Sequence, residues 1–123
     1  MKKKRMGVFL GMIVIMLLCI SKYTYADSNS YNTSTIQYIT AYTNSLAYDK
    51  TITANTRPSV GNGGAVIQIT KPDGTVVASK YFPYYTSIDD LEYTHQPDTT
   101  RRIYVRPNID DQNIQGTVTH YWF

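Results

Sequence analysis

The sequence predicts an all-β domain, a small antiparallel β-sandwich of about six or seven strands set behind an N-terminal export segment. Three observations predict it. Beyond residue 26, leucine occurs only at Leu46 and Leu91, while threonine, tyrosine, isoleucine and valine dominate. Such branched and aromatic side chains suit a half-buried pleated surface and lose rotamer freedom in a helix. No window sustains an apolar period of about 3.6 residues, and turn-forming residues recur at roughly 8–12-residue intervals, as in sandwiches and barrels.

Residues 1–26 have the layout of a secretory signal peptide. Lys2-Lys3-Lys4-Arg5 forms the positive end, and Gly7 to Ile20 is an uncharged apolar run of 14 residues. A helix of that length spans roughly 21 Å, short of the ~30 Å hydrocarbon core that a stable anchor must cross. Thr24-Tyr25-Ala26 supplies the small terminal residue of a cleavage site, so the expected product begins at Asp27, with an uncleaved anchor as the alternative. Cys19 follows Leu18, which does not suit lipid attachment. The chain is therefore expected to be secreted, with no stable membrane insertion after cleavage. Its lysine-rich start and the absence of any other cysteine suggest a bacterial extracellular protein.

Residues 27–34 are polar and are expected to form a flexible lead-in, with the sandwich domain at 35–123. A first strand is predicted from Thr35 to Thr43, with Ile36, Tyr38, Thr40 and Tyr42 on one face. Lys50 to Asn55 follows, with Ile52 and Ala54 sharing a face, before the breakers Arg57-Pro58 and Gly61-Asn62-Gly63-Gly64. Ala65 to Thr70 and Thr75 to Phe82 flank Lys71-Pro72-Asp73-Gly74. Proline presets φ for a type I turn, and glycine takes the left-handed position after it, so a β-hairpin is predicted there. Asp89 to Thr94 reads as a weak edge strand. Arg101 to Arg106 alternates, with Ile103 and Val105 inward and Arg102, Tyr104 and Arg106 outward. Ile114 to Phe123 closes the domain, with Val118, His120 and Trp122 on one face. Ile67, Ile69, Ile103, Val105, Val118 and Trp122 make the candidate core. The spacing resembles the immunoglobulin-like sandwich in architecture, without the cysteine pair of antibody domains.

Several chemistries find little footing. From Asp27 onward there are seven basic and nine acidic residues, a net charge of −2, so no nucleic-acid partner is expected. The only histidines, His95 and His120, stand outside any recognisable catalytic motif and read as a loop residue and a strand residue. Asp89-Asp90-Leu91-Glu92 and Asn108 to Asn113 offer oxygens but not the twelve-residue calcium loop, and read as solvated turns. No catalytic set, metal site or cofactor is assigned.

Tyrosine is the remaining signal. Tyr84 and Tyr85 follow Pro83 outside a strand and are expected to be exposed, while Arg102, Tyr104 and Arg106 make an outward basic–aromatic stripe. Aromatic faces stack on sugar rings and partner side chains. The sequence thus points to an exported, non-catalytic binding module acting at the cell surface or in the medium. A cell-surface glycan or a protein would be its partner, and those five residues its candidate ligand contacts. A secreted antimicrobial, toxin-like or immunity protein is the alternative.

Overall fold

The computed structural model describes residues 26–123. The expected export segment, apart from Ala26, lies outside the described residues. Eight strands follow: β1 (Asp27–Thr33), β2 (Gln37–Asn44), β3 (Lys50–Thr56), β4 (Ala65–Thr70), β5 (Val76–Phe82), β6 (Leu91–His95), β7 (Thr99–Pro107) and β8 (Ile114–Trp122). They make two antiparallel sheets of four strands, ordered β1-β8-β3-β6 and β2-β7-β4-β5.

The predicted sandwich is present. Only β4 and β5 are consecutive strands paired within one sheet; the other six connections pass from sheet to sheet. That is the strand order of an eight-stranded double-sheet jelly roll. Immunoglobulin domains instead keep their first two strands side by side in one sheet, so the likeness to them stops at the two-layer architecture.

The β4–β5 turn forms as its residues dictate. The Gly74 amide donates to the Lys71 carbonyl at 3.0 Å, Gly74 sits at φ +92°, and Asp73 Oδ1 accepts from the Thr75 amide at 2.9 Å. β7 runs between β2 and β4 and alternates throughout: Arg101, Ile103, Val105 and Pro107 are buried, and Arg102, Tyr104 and Arg106 face outward. Ile52, Ala54, Ile114 and Val118 of one sheet meet Ile67, Ile69, Ile103, Val105 and Phe82 of the other in a single apolar layer. Trp122, expected in the core, is half-buried at its edge.

Three expectations need correction. Residues 27–33 are not a flexible lead-in but strand β1, paired with β8 from Asp27↔His120 to Thr33↔Ile114. Tyr31 fastens it: the ring is buried, its hydroxyl meets Thr56 Oγ1 at 2.8 Å, and it lies against Gly116, where a Cβ would come within 2.6 Å of that hydroxyl. In β2 a bulge between Tyr38 and Thr40 breaks the simple alternation. Ile36 and Tyr38 are exposed, whereas Ile39 and Asn44 are buried. The weak edge strand is real as β6, and His95, expected in a loop, ends it as a fully buried residue.

Ile67 is fully buried, so Ile67→Ala should cost about 2–5 kcal/mol, as large-to-small core changes do. A urea titration should show a clearly lowered midpoint. An unchanged midpoint would mean that this side chain is not in the core.

Candidate functional site

Burial of Ile103 and Val105 turns their neighbours onto the outer face of the β2-β7-β4-β5 sheet. One row crosses all four strands there: Tyr38 opposes Tyr104, Tyr104 opposes Gln68, and Gln68 opposes Ser79. The Tyr38 and Tyr104 rings meet edge to face, centroids 5.7 Å apart and planes at 69°, a favoured aromatic geometry. On one side of this row Arg102 lies between Ala41 and Thr70; on the other, Arg106 opposes Val66, which opposes Tyr81.

The charge on this sheet is one-sided. Its four strands contain Lys80, Arg101, Arg102 and Arg106 and no acidic residue, whereas seven of the nine acidic residues stand in connections between strands. Arg102 Nη1 donates to the Pro72 carbonyl at 3.3 Å and Arg106 Nη1 to the Pro107 carbonyl at 3.2 Å. Each guanidinium carries five N–H donors, so most of its capacity remains for a ligand. Arg106 also lines a shallow cleft of about 300 Å³ with Ile36, Pro107, Asp110 and Asp111.

Tyr84 and Tyr85 lie off this sheet, in the β5–β6 connection. Their rings are 5.4 Å apart at 57°, and they are 40% and 58% exposed. Tyr85 has φ +57°, its amide donates to the Pro58 carbonyl at 2.8 Å, and the Arg57 guanidinium covers its ring at 4.6 Å. The five residues singled out from the sequence therefore fall into two surfaces: Arg102, Tyr104 and Arg106 on the sheet, Tyr84 and Tyr85 on the loop. Sequence reasoning missed Tyr38, Gln68 and Tyr81. Alternation alone misplaces Tyr38, because the bulge that turns it outward leaves no mark in the residues around it. Tyr81 was legible in principle, as the outward neighbour of buried Phe82.

The histidines are engaged inside the sandwich. His120 Nδ1 meets the Tyr42 hydroxyl and its Nε2 meets Asn29 Oδ1, both at 2.6 Å. His95 Nε2 donates to the Thr99 carbonyl at 2.7 Å, and its buried Nδ1 finds no hydrogen-bond partner among the described residues. Trp122 sits between Tyr42 and His95, at 5.2 and 5.6 Å between ring centroids, with Lys50 Nζ 4.1 Å above its ring. Among the described residues no group of three His, Cys, Asp or Glu side chains is placed to hold a metal ion.

No family model and no curated protein matches the chain. Some solved structures are similar to it at low identity. One is described as Bacillus endospore appendages forming a family of disulfide-linked pili: 14% identity over 80% of this chain and 85% of that one, TM-score 0.47. A second is PirA, with 15% identity over 80% of this chain and 94% of that one, TM-score 0.44. A third is from an infectious bursal disease virus strain, with 15% identity over 78% of this chain but 30% of that one, TM-score 0.33. At this identity and these scores nothing about partners or activity passes to this chain, whose only cysteine is Cys19.

The interior imidazoles make stability depend on pH. Burial pushes both His95 and His120 below the ordinary value of 6.5; at His95 the charges of Arg101 and Lys50 add to the effect, and at His120 Asp27 partly opposes it. Tyr42, half-buried, is pushed up to about 12 by its partial desolvation and by the charge of Asp27, and stays a neutral phenol. The unfolded chain thus binds protons at these histidines before the folded one does. Their contribution is complete above the unfolded value and is lost as pH falls through 6.5 and below. Thermal unfolding should therefore show a lower midpoint at pH 5 than at pH 7.5. Replacement of His120 by glutamine should flatten that dependence, and a wild-type midpoint equal at both pH values would contradict neutral burial.

Proposed function

We propose that this chain is an exported, non-catalytic binding module that takes an anionic glycan, at the cell surface or in the medium, on the outer face of its β2-β7-β4-β5 sheet. Export rests on the layout of residues 1–26. The observation that carries the binding reading is the sequence of cation, ring and cation along β7, Arg102–Tyr104–Arg106, on a carboxylate-free sheet of a net-acidic domain.

The geometry favours a particular shape of ligand. Neighbouring outward residues on a strand are roughly 6.6–6.8 Å apart, so the two guanidinium stems stand roughly 13 Å apart with the ring between them. A small anion can reach one arginine. An extended polyanion can reach both and lay a sugar ring on Tyr104, whose edge contact with Tyr38 fixes its orientation. Guanidinium groups suit carboxylate and sulfate oxygens because two N–H groups can serve one anion. Two outward arginines are few for nucleic acid, whose affinity grows with the number of phosphates neutralised.

Heparin is a suitable polyanionic probe. The Arg102→Ala, Arg106→Ala double variant should bind it at least about tenfold more weakly, which corresponds to about 1.4 kcal/mol. Binding by the unaltered chain should weaken as sodium chloride rises, because exposed charges are screened over about 8 Å at physiological ionic strength. The melting midpoint of the variant should stay close to the parent's, since both side chains point away from the core. Equal heparin affinity in parent and variant, by calorimetry, would remove the sheet face from the site.

A further inference from the structure

The β5–β6 connection holds an exposed aromatic pair that stands outside the apolar core. Tyr85 is a bulky residue in the left-handed region, at φ +57°, where a Cβ is crowded against the backbone. A strained residue persists when its surroundings hold it, and Tyr85 is held from both sides: its amide is tied to the Pro58 carbonyl, and Arg57 lies on its ring. Its side chain nevertheless remains 58% exposed. Strain offset by deep burial would be structural. Strain that displays a ring to solvent calls for another reason, and strained residues gather at binding sites.

We infer that Tyr84, Tyr85 and Arg57 form a second binding site, separate from the sheet face, for a pyranose unit carrying a carboxylate. The two rings, 5.4 Å apart and tilted at 57° to each other, are both exposed, and together they offer aromatic surface to the apolar C–H face of a sugar. One face of Tyr85 is covered by the Arg57 guanidinium, so the exposed aromatic pair has a positive charge at its margin. A neutral sugar would use the rings alone. An acidic sugar would use the rings and also place its carboxylate on a planar cation that can give it two hydrogen bonds. This charge match is what selects the ligand class.

The test uses tri-galacturonic acid, with maltotriose as the neutral counterpart, measured by calorimetry on the Arg102→Ala, Arg106→Ala background. Loss of the sheet site then cannot be mistaken for loss of this one. Tri-galacturonic acid should bind more tightly than maltotriose. Tyr85→Asn places at the left-handed position a residue that tolerates it. It should weaken binding of the acid roughly three- to tenfold, as expected for loss of one stacked ring, while the melting midpoint stays level or rises. Arg57→Gln should bring the acid down to the affinity of maltotriose. A fall in the melting midpoint of Tyr85→Asn would show that the ring serves the fold. Unchanged binding in that variant, or no binding of tri-galacturonic acid to its parent, would likewise overturn the assignment.

Discussion

A strand's outward residues are chosen by its inward ones, and in β7 the inward ones include Ile103 and Val105, both fully buried. Each such side chain contributes about 1.5–3 kcal/mol by leaving water. Together with Ile67 and Ile69 on β4 they hold the β2-β7-β4-β5 sheet against Ile52, Ala54 and Val118 of its partner. A slip of one residue would exchange that set for Arg102, Tyr104 and Arg106 and put two guanidinium groups into an apolar layer. The register that stabilises the sandwich is therefore the same one that displays cation, ring and cation on a rigid surface. Stability and the candidate site rest on one alternation.

The other half of the molecule is held differently. β1 buries a single side chain, Tyr31, and its remaining inward attachments are polar. Asn29 reaches His120, which reaches Tyr42, so one imidazole joins β1, β8 and β2 across both sheets. Such a network strengthens in a low-dielectric interior only while its members keep complementary protonation states. The apolar layer gives the sandwich its bulk stability, while this polar end ties the first strand to the last and makes that tie sensitive to proton activity.

Legibility in the sequence followed the range of the determining contacts. The β4–β5 hairpin and the faces of β4 and β7 could be read because proline, glycine and strict alternation act within a few residues. β1 could not. Its sequence Asp-Ser-Asn-Ser-Tyr-Asn-Thr carries no apolar period, and the notch that receives Tyr31 is made by Thr56 and Gly116, distant in the chain. The jelly-roll order was hidden for the same reason, since six of seven connections place a strand beside partners remote in sequence. Of the site, Arg102, Tyr104 and Arg106 were visible as a stripe. Their separation from Tyr84 and Tyr85, and the arrival of Tyr38 beside Tyr104, depend on inter-strand register and a bulge that the sequence does not announce.

The carboxylate-free sheet needs two explanations of different kinds. Aspartate is disfavoured in strands and useful in turns, where its oxygen accepts a nearby backbone N–H, as Asp73 does from Thr75. Turn chemistry alone thus draws acidic residues away from the sheets, and their scarcity on this face needs no ligand to explain it. The arginines are not explained that way. Arg102 and Arg106 are half-buried, and among the described residues their guanidinium groups bond backbone carbonyls. An outward position on β7 could be filled by threonine, a good strand former with less side-chain entropy to lose. What remains after the demands of folding are met is two guanidinium groups astride a tyrosine ring on the outer face of β7, and it is on that remainder that the proposed binding reading rests.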